Sequence, residues 1–91
     1  MMKLLGSFIC KHLEKLIGQR QYQEAHHVSE MLCKRRPDLL AGFYYKARSL
    51  EGLGRKSDAL KLCIQTKDST PYANASDAWK LELDQLTGRL R

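Results

Sequence analysis

The sequence predicts an all-α fold in which two stacked helical hairpins are followed by a capping helix, five helices in total. Three observations predict it. Apolar residues recur at helical spacing along most of the 91-residue chain. No segment alternates polar and apolar residues as a strand would. Anchor residues recur 34 positions apart, and a period of this length is typical of helix–turn–helix repeats that stack on one another.

The repeat is carried by residue types at equivalent positions. Ala25 aligns with Ala59, and Pro37 aligns with Pro71. Larger residues also align in pairs, namely Ile9 with Phe43, Leu13 with Ala47, and Leu16 with Leu50. Because a chain of this length forms one domain, we expect a single unit over 1–91. Its parts are repeat one at about 6–39, repeat two at about 40–73 and the capping helix at about 75–90.

Helix-breaking residues set the limits of the first hairpin. The first helix is expected over about 3–17, stopping at Gly18. The second is expected over about 21–35, because Pro37 cannot continue a helix. The basic run 34–36 lies in its last turn, where cations complement the helix dipole.

The second hairpin has its own start and stop signals. Asp38 is a candidate N-cap for a third helix that runs to about residue 53, where Gly54 is the C-terminal signal. Ser57 is a candidate cap for a fourth helix that runs to about residue 67. A turn cluster over 68–71 then separates this hairpin from the rest of the chain.

The last helix is expected to start after Asn74 or Ser76 and to run to about residue 86. Its apolar residues form one continuous stripe, made of Trp79, Leu83, Leu86 and Leu90. Its opposite face carries Lys80, Glu82, Asp84 and Arg89. One apolar face and one charged face are what a terminal capping helix needs.

The residue composition does not point to catalysis, a cofactor or a metal. The cysteines Cys10, Cys33 and Cys63 are odd in number and lie within helical patterns, so we expect buried thiols in a reducing cytosol. Glu30 is one turn from both His26 and His27, which gives at best two ligands where structural zinc takes four. No segment approaches the ~18 apolar residues that span a bilayer, so no stable membrane insertion is expected.

The predicted first helix carries more apolar residues than one packing face requires. Leu4, Leu5 and Phe8 form the surplus N-terminal surface, and Ile17 is a further candidate for exposure. Fraying or self-association would explain such a surplus. We favour a docking surface for a second protein, because exposed apolar patches on small proteins usually mark interfaces.

Helix pairs with alanine at the crossing point and proline after the second helix resemble the tetratricopeptide repeat. The matching positions are Ile9, Leu13, Leu16, Ala25 and Pro37 in repeat one, and Phe43, Ala47, Leu50, Ala59 and Pro71 in repeat two. Both repeats lack the family's tryptophan. The resemblance implies a groove lined by the first helix of each pair. Its positions here are Ser7, Cys10, Glu14 and Ile17, then Ala41, Tyr44, Arg48 and Glu51, and on the last helix Asp77, Lys80, Asp84 and Thr87.

This groove does not fit the carboxylate clamp that some members of the family use for chaperone tails. Arg48 and Lys80 are present, but Glu14 and Glu51 would repel a carboxylate. The mixed polar and apolar lining suits an amphipathic helix laid along the groove. We therefore expect a protein–protein interaction module without enzymatic activity.

In size, repeat number and capping helix, the chain is similar to the small tetratricopeptide chaperones of bacterial type III secretion, which hold the needle subunit in the cytoplasm before export. The resemblance implies two partners. The groove would take a helix of a small, aggregation-prone secretion subunit, and a second small co-chaperone would cover the N-terminal apolar surface.

Two other classes are weighed against this interpretation. A membrane-adaptor module of the organelle-fission type would carry a C-terminal anchor, whereas this sequence ends in a charged segment over 88–91. A basic helical repeat that binds nucleic acid is consistent with the net charge of +6. That class predicts an affinity that falls steeply with salt. The basic residues do not form a stripe, so we expect no nucleic-acid partner.

Overall fold

The computed structural model describes the backbone of residues 3–91 and the side chains of residues 8–91, and in this part of the chain every regular element is an α-helix. In chain order they are α1 (Lys3–Gly18), α2 (Tyr22–Arg35), α3 (Leu40–Gly52), α4 (Lys56–Lys67), α5 (Thr70–Ala73) and α6 (Asp77–Leu90). The predicted all-α class is confirmed.

The expected number of helices was wrong, because a short helix begins within the predicted turn cluster. Pro71 lies in the first turn of α5, where its missing N–H would have no intrahelical partner and its fixed φ suits the helix. Pro71 therefore starts a helix as well as following one. The last helix ends at Leu90, which agrees with the expected limit of the capping unit near residue 90 and lies beyond the helix end expected near residue 86.

Two of the predicted caps are not formed. Asp38 accepts hydrogen bonds from Arg36 Nε (3.0 Å) and Nη2 (2.9 Å), and α3 begins after Leu39 without a side-chain cap. Likewise α4 begins one residue before Ser57. The third expectation is met, since Ser76 Oγ accepts a hydrogen bond of 3.3 Å from the backbone N–H of Trp79 at the start of α6.

α3 is the central helix and contacts α1, α2, α4 and α6. The core around it is mainly apolar and follows the predicted helical spacing. Its fully buried side chains include Leu13, Ala25, Ala47, Ala59, Cys63 and Leu83. The small residues among them include Ala25 and Ala59, the two alanines expected at the helix crossings. The stripe of α6 is buried at Leu83, Leu86 and Leu90 and half-buried at Trp79.

The turns that close the two hairpins have the same backbone structure. Arg20 has φ 61° and Gly54 has φ 82°, both in the left-handed region. In the first turn the Gln21 N–H donates to Leu16 (2.8 Å) and the Arg20 N–H to Ile17 (3.0 Å). In the second, residues 55 and 54 donate in the same way to residues 50 and 51, at 2.9 and 3.0 Å. This pair of bonds is the Schellman motif, so the 34-residue period of the sequence is also a period of backbone geometry.

Gly52, the last residue of α3, lies against the ring of Tyr22 at the start of α2. A Cβ atom added to Gly52 would overlap the Cγ, Cδ1 and Cε1 atoms of that ring. Gly18 occupies the equivalent position at the end of α1, and a Cβ there would meet nothing within 4 Å. The absence of a side chain at Gly52 therefore allows α2 and α3 to approach closely.

Candidate functional site

A cleft of about 270 Å³ opens between α1, α3 and α6; we refer to it as the α3 cleft. It is lined by Glu14, Tyr44, Tyr45, Ala78, Trp79 and Glu82. α1 and α6 each contribute one of the two carboxylates, and α3 contributes the two phenols. The lining combines aromatic rings with negative charge, although the chain as a whole has a net charge of +6.

Three aromatic rings form the floor of the α3 cleft. The ring centroids of Tyr44 and Tyr45 are 5.0 Å apart, and those of Tyr44 and Trp79 are 5.5 Å apart. All three pairs meet edge to face, which is a favoured arrangement for aromatic rings. Tyr44 and Tyr45 are buried, whereas Trp79 is half-buried. The cluster joins α3 to α6 and leaves part of the indole accessible.

Glu14 is held by two donors from α3. The Tyr45 hydroxyl donates to Glu14 Oε2 at 2.8 Å, and Arg48 Nη1 donates to the same oxygen at 2.9 Å. The Arg48 guanidinium carbon also lies 5.6 Å from the centroid of the Tyr44 ring and 5.9 Å from that of Tyr45. One cation thus contacts both a carboxylate and two aromatic rings at the edge of the α3 cleft.

Glu82 has a different set of neighbours. The Tyr44 hydroxyl donates to Glu82 Oε1 at 3.2 Å, and among the described side chains no cation lies within 4.0 Å of its carboxylate. Burial raises the pKa of Tyr44, and the negative charge of Glu82 adds to this rise. The phenol therefore remains a donor, and the charge of Glu82 is not neutralised by the described part of the chain.

Burial also raises the pKa of Tyr45, with the hydrogen bond to Glu14 as the next cause. The pKa of the Cys10 thiol is raised by burial and then by the charge of Glu14. These groups stay protonated near neutral pH, so neither offers a ready nucleophile.

The residues predicted to line a groove are distributed unequally. Glu14, Tyr44 and Arg48 come together at the α3 cleft, with Cys10 half-buried nearby. Glu51 lies further along α3 and forms a two-point ion pair with Arg89, with distances of 2.7 and 3.2 Å. Ile17 and Ala41 are 9% and 8% exposed and belong to the core. The expectation that Ile17 is a spare surface residue was therefore wrong, because it packs inside the domain.

On α6, the residues that line the cleft differ from those expected. Asp84 pairs with Lys67 at 3.2 Å and accepts a hydrogen bond from Tyr72 at 3.1 Å, so it faces α4 and α5. Thr87 is buried. Lys80 lies over the Tyr72 ring at 5.7 Å, and Asp77 is exposed at the start of the helix. Ala78, Trp79 and Glu82 line the cleft in their place.

Three of these cleft residues were not predicted to line a groove. Trp79 was expected in the packing stripe, and it does pack partly buried against the core. Glu82 was expected on the charged face of the last helix, and it is exposed. Tyr45 was not assigned to the groove. One available signal was the spacing of Trp79 and Glu82, since residues three apart on a helix share a face. The N-terminal apolar surface is described only in part: Phe8 is 70% exposed, and the side chains of Leu4, Leu5 and Ser7 lie outside the described residues.

Within residues 8–91, no three His, Cys, Asp or Glu side chains lie together in a way that could hold a metal ion. No helix of the described chain combines the length and apolar character needed to cross a membrane.

Comparisons with protein-family models, with curated proteins and with solved structures found no match for this chain.

Proposed function

We propose that this chain is a helical-repeat module of the tetratricopeptide type that binds another protein and has no enzymatic activity of its own. The observation that carries the proposal is the recurrence, 34 residues apart, of both the buried alanines and the Schellman turns at Arg20 and Gly54. A repeat of local geometry as well as of sequence is typical of stacked hairpin arrays. Such arrays use their extended surfaces to bind polypeptides.

The proposed binding surface is the side formed by α1, α3 and α6, with the α3 cleft at its centre. A partner helix laid across it would contact the exposed parts of Glu14, Ala78 and Trp79. Ile17, Ala41 and Tyr44 are largely buried. The exposed surface of this side is therefore more polar and aromatic than an apolar groove would be. An amphipathic partner helix would place polar or charged residues here, not only apolar ones.

For the partner, we propose a small helical subunit that otherwise self-associates, as in bacterial type III secretion, where a cytoplasmic chaperone holds the needle subunit. Binding would cover the helix through which that subunit self-associates, and it would stabilise the chaperone by mass action. A co-chaperone would cover the N-terminal surface at Phe8, whose large exposed fraction supports a second contact. The carboxylates of the α3 cleft disfavour nucleic acid at this site, since they repel phosphates.

The experiment is co-purification of the tagged protein from its native cells, with mass spectrometry of the bound proteins. One or two small helical proteins at equal stoichiometry would support a dedicated chaperone. Nucleic acid, or a broad mixture of large proteins, would contradict it and would favour a general adaptor.

Surface variants then locate the interface without disturbing the core. Ala78→Arg fills the α3 cleft from an exposed position and should abolish capture of the subunit. Gln85→Arg is the matched control, because it adds the same charge at another exposed position of α6. Phe8→Glu should remove only the co-chaperone. Charged substitutions at Ala41 or Tyr44 are unsuitable as tests of the binding surface, because they would bury a charge and unfold the domain. Unchanged capture by Ala78→Arg would refute the assignment of the α3 cleft.

A further inference from the structure

We propose that the α3 cleft binds a single cationic side chain, from an arginine or lysine of the partner polypeptide, with Glu82 as its counter-ion and Trp79 as its stacking surface. The inference depends on the proposed function only for the source of that side chain. The chemistry of the cleft depends only on its own residues and can be tested with a small probe.

The negative charge that is available in the α3 cleft comes from Glu82. Glu14 shares its charge with Arg48, and both described hydrogen bonds to it use Oε2. Glu82 receives only the neutral Tyr44 hydroxyl, at Oε1. One negative charge and one oxygen of Glu82 are therefore left for a ligand. Glu82 lines the cleft but is exposed to solvent, so a cation placed beside its carboxylate would gain a partly screened attraction.

Trp79 supplies an aromatic surface for the same cation. Cations are attracted to the faces of aromatic rings within about 6 Å, most strongly to tryptophan. The protein already shows this binding mode, because Arg48 lies against the rings of Tyr44 and Tyr45 while its guanidinium pairs with Glu14. Trp79 and Glu82 offer the same combination from α6, one helical turn apart. Within the described residues no cation is recorded over the Trp79 ring.

The size of the cleft decides what carries the cation. Its volume of about 270 Å³ falls just below the range of about 300–1,000 Å³ typical of small-molecule pockets. It accommodates one long side chain and is too small for a whole helix. A partner helix would therefore lie over the surface and insert one basic residue. This also gives the α1, α3 and α6 side a means of selecting a partner in one register.

The test uses Trp79 as its reporter, since it is the one tryptophan of the chain. The protein is titrated with N-acetyl-argininamide at low salt while its fluorescence is recorded. We expect saturable binding in the millimolar range, because a single side chain supplies few contacts. N-acetyl-citrullinamide has nearly the same shape without the charge and should cause no saturable change.

Glu82→Gln identifies the counter-ion. Glutamine keeps an acceptor for the Tyr44 hydroxyl and removes only the charge, so we expect about tenfold weaker binding of the probe, on the scale of one partly screened ion pair. Glu24→Gln is the matched control, because it makes the same change in net charge at an exposed site on α2. It should leave the probe affinity unchanged. Far-UV circular dichroism checks that both variants are folded.

Three results would overturn the inference. They are no saturable binding of the argininamide, equal binding of the citrullinamide, and equal losses in Glu82→Gln and Glu24→Gln. The last would show a general effect of net charge. None of these results depends on co-purification, so a protein partner can be found even if the cleft does not bind a cation. Conversely, binding of the probe without any co-purifying protein would support the cleft chemistry and contradict the proposed function.

Discussion

Alanine in place of Gly52 tests how closely α3 approaches the start of α2. The added Cβ would overlap three ring atoms of Tyr22, well inside the separation of about 3.5–4.0 Å at which carbon atoms attract one another. Because Cγ is among the overlapped atoms, rotation of the ring alone does not relieve the overlap. Either the whole side chain or one of the helices must move.

The magnitude follows from two opposing contributions. Overpacking of this kind costs about 1–3 kcal/mol, while replacing glycine by alanine at a permitted backbone conformation stabilises by about 0.4–1 kcal/mol through the unfolded chain. Gly52→Ala should therefore lower the free energy of unfolding by about 1–2 kcal/mol. In a domain of this size each 1 kcal/mol lowers Tm by about 4–8 °C.

Gly18→Ala provides the matched control. It makes the same chemical change at the equivalent position of the first hairpin, where the new Cβ meets nothing within 4 Å. Only the favourable contribution of about 0.4–1 kcal/mol should remain there. Urea unfolding followed by circular dichroism measures both variants. If Gly52→Ala and Gly18→Ala had the same free energy of unfolding, the inferred close contact between Tyr22 and α3 would be refuted. In a double-mutant cycle, Tyr22→Ala should remove most of the penalty.

Two further predictions concern the turns and a buried phenol. Arg20→Gly should stabilise the domain and Gly54→Ala should destabilise it, each by about 1 kcal/mol, because a side chain is strained at their positive φ values. A lower Tm for Arg20→Gly, or a Tm for Gly54→Ala that does not fall, would contradict the shared turn geometry. The pKa of Tyr45 is raised in the folded state, so the protonated phenol stabilises the folded protein. Its contribution to the free energy of unfolding is complete below the unfolded pKa of about 10 and is lost as pH rises above that value. Between pH 9 and 11 the stability of Tyr45→Phe should fall less steeply than that of the wild type, as measured by urea unfolding; parallel curves would refute this.

The sequence predicted the helices and their buried faces because both are local properties. Ala25 and Ala59 are fully buried, and the stripe from Leu83 to Leu90 packs inside the domain, as helical spacing requires. The role of Gly54 was also readable, because a positive φ after a helix favours glycine. The equivalent turn uses Arg20, which only the alignment of the repeats could reveal.

The α3 cleft could be predicted only in part, since it depends on how α6 lies against α3. The short helix α5 lies between the second hairpin and α6, and no sequence period fixes its effect on the position of α6. Glu82 therefore faces Tyr44, while Asp84 turns toward Lys67. The failure of Asp38 as a cap is local: α3 begins after Leu39, and the Asp38 carboxylate pairs with Arg36.

The ion pair between Glu14 and Arg48 joins residues that are 34 positions apart, so each occupies the same place in its own repeat. Opposite charges at one repeat position join the two hairpins, because a copy that carries glutamate attracts a neighbouring copy that carries arginine. Duplicating the second hairpin in tandem would place a second arginine beside Arg48, where like charges repel. A longer array made from this chain would therefore need alternating charges at this position, and copying its own second repeat would not extend it favourably.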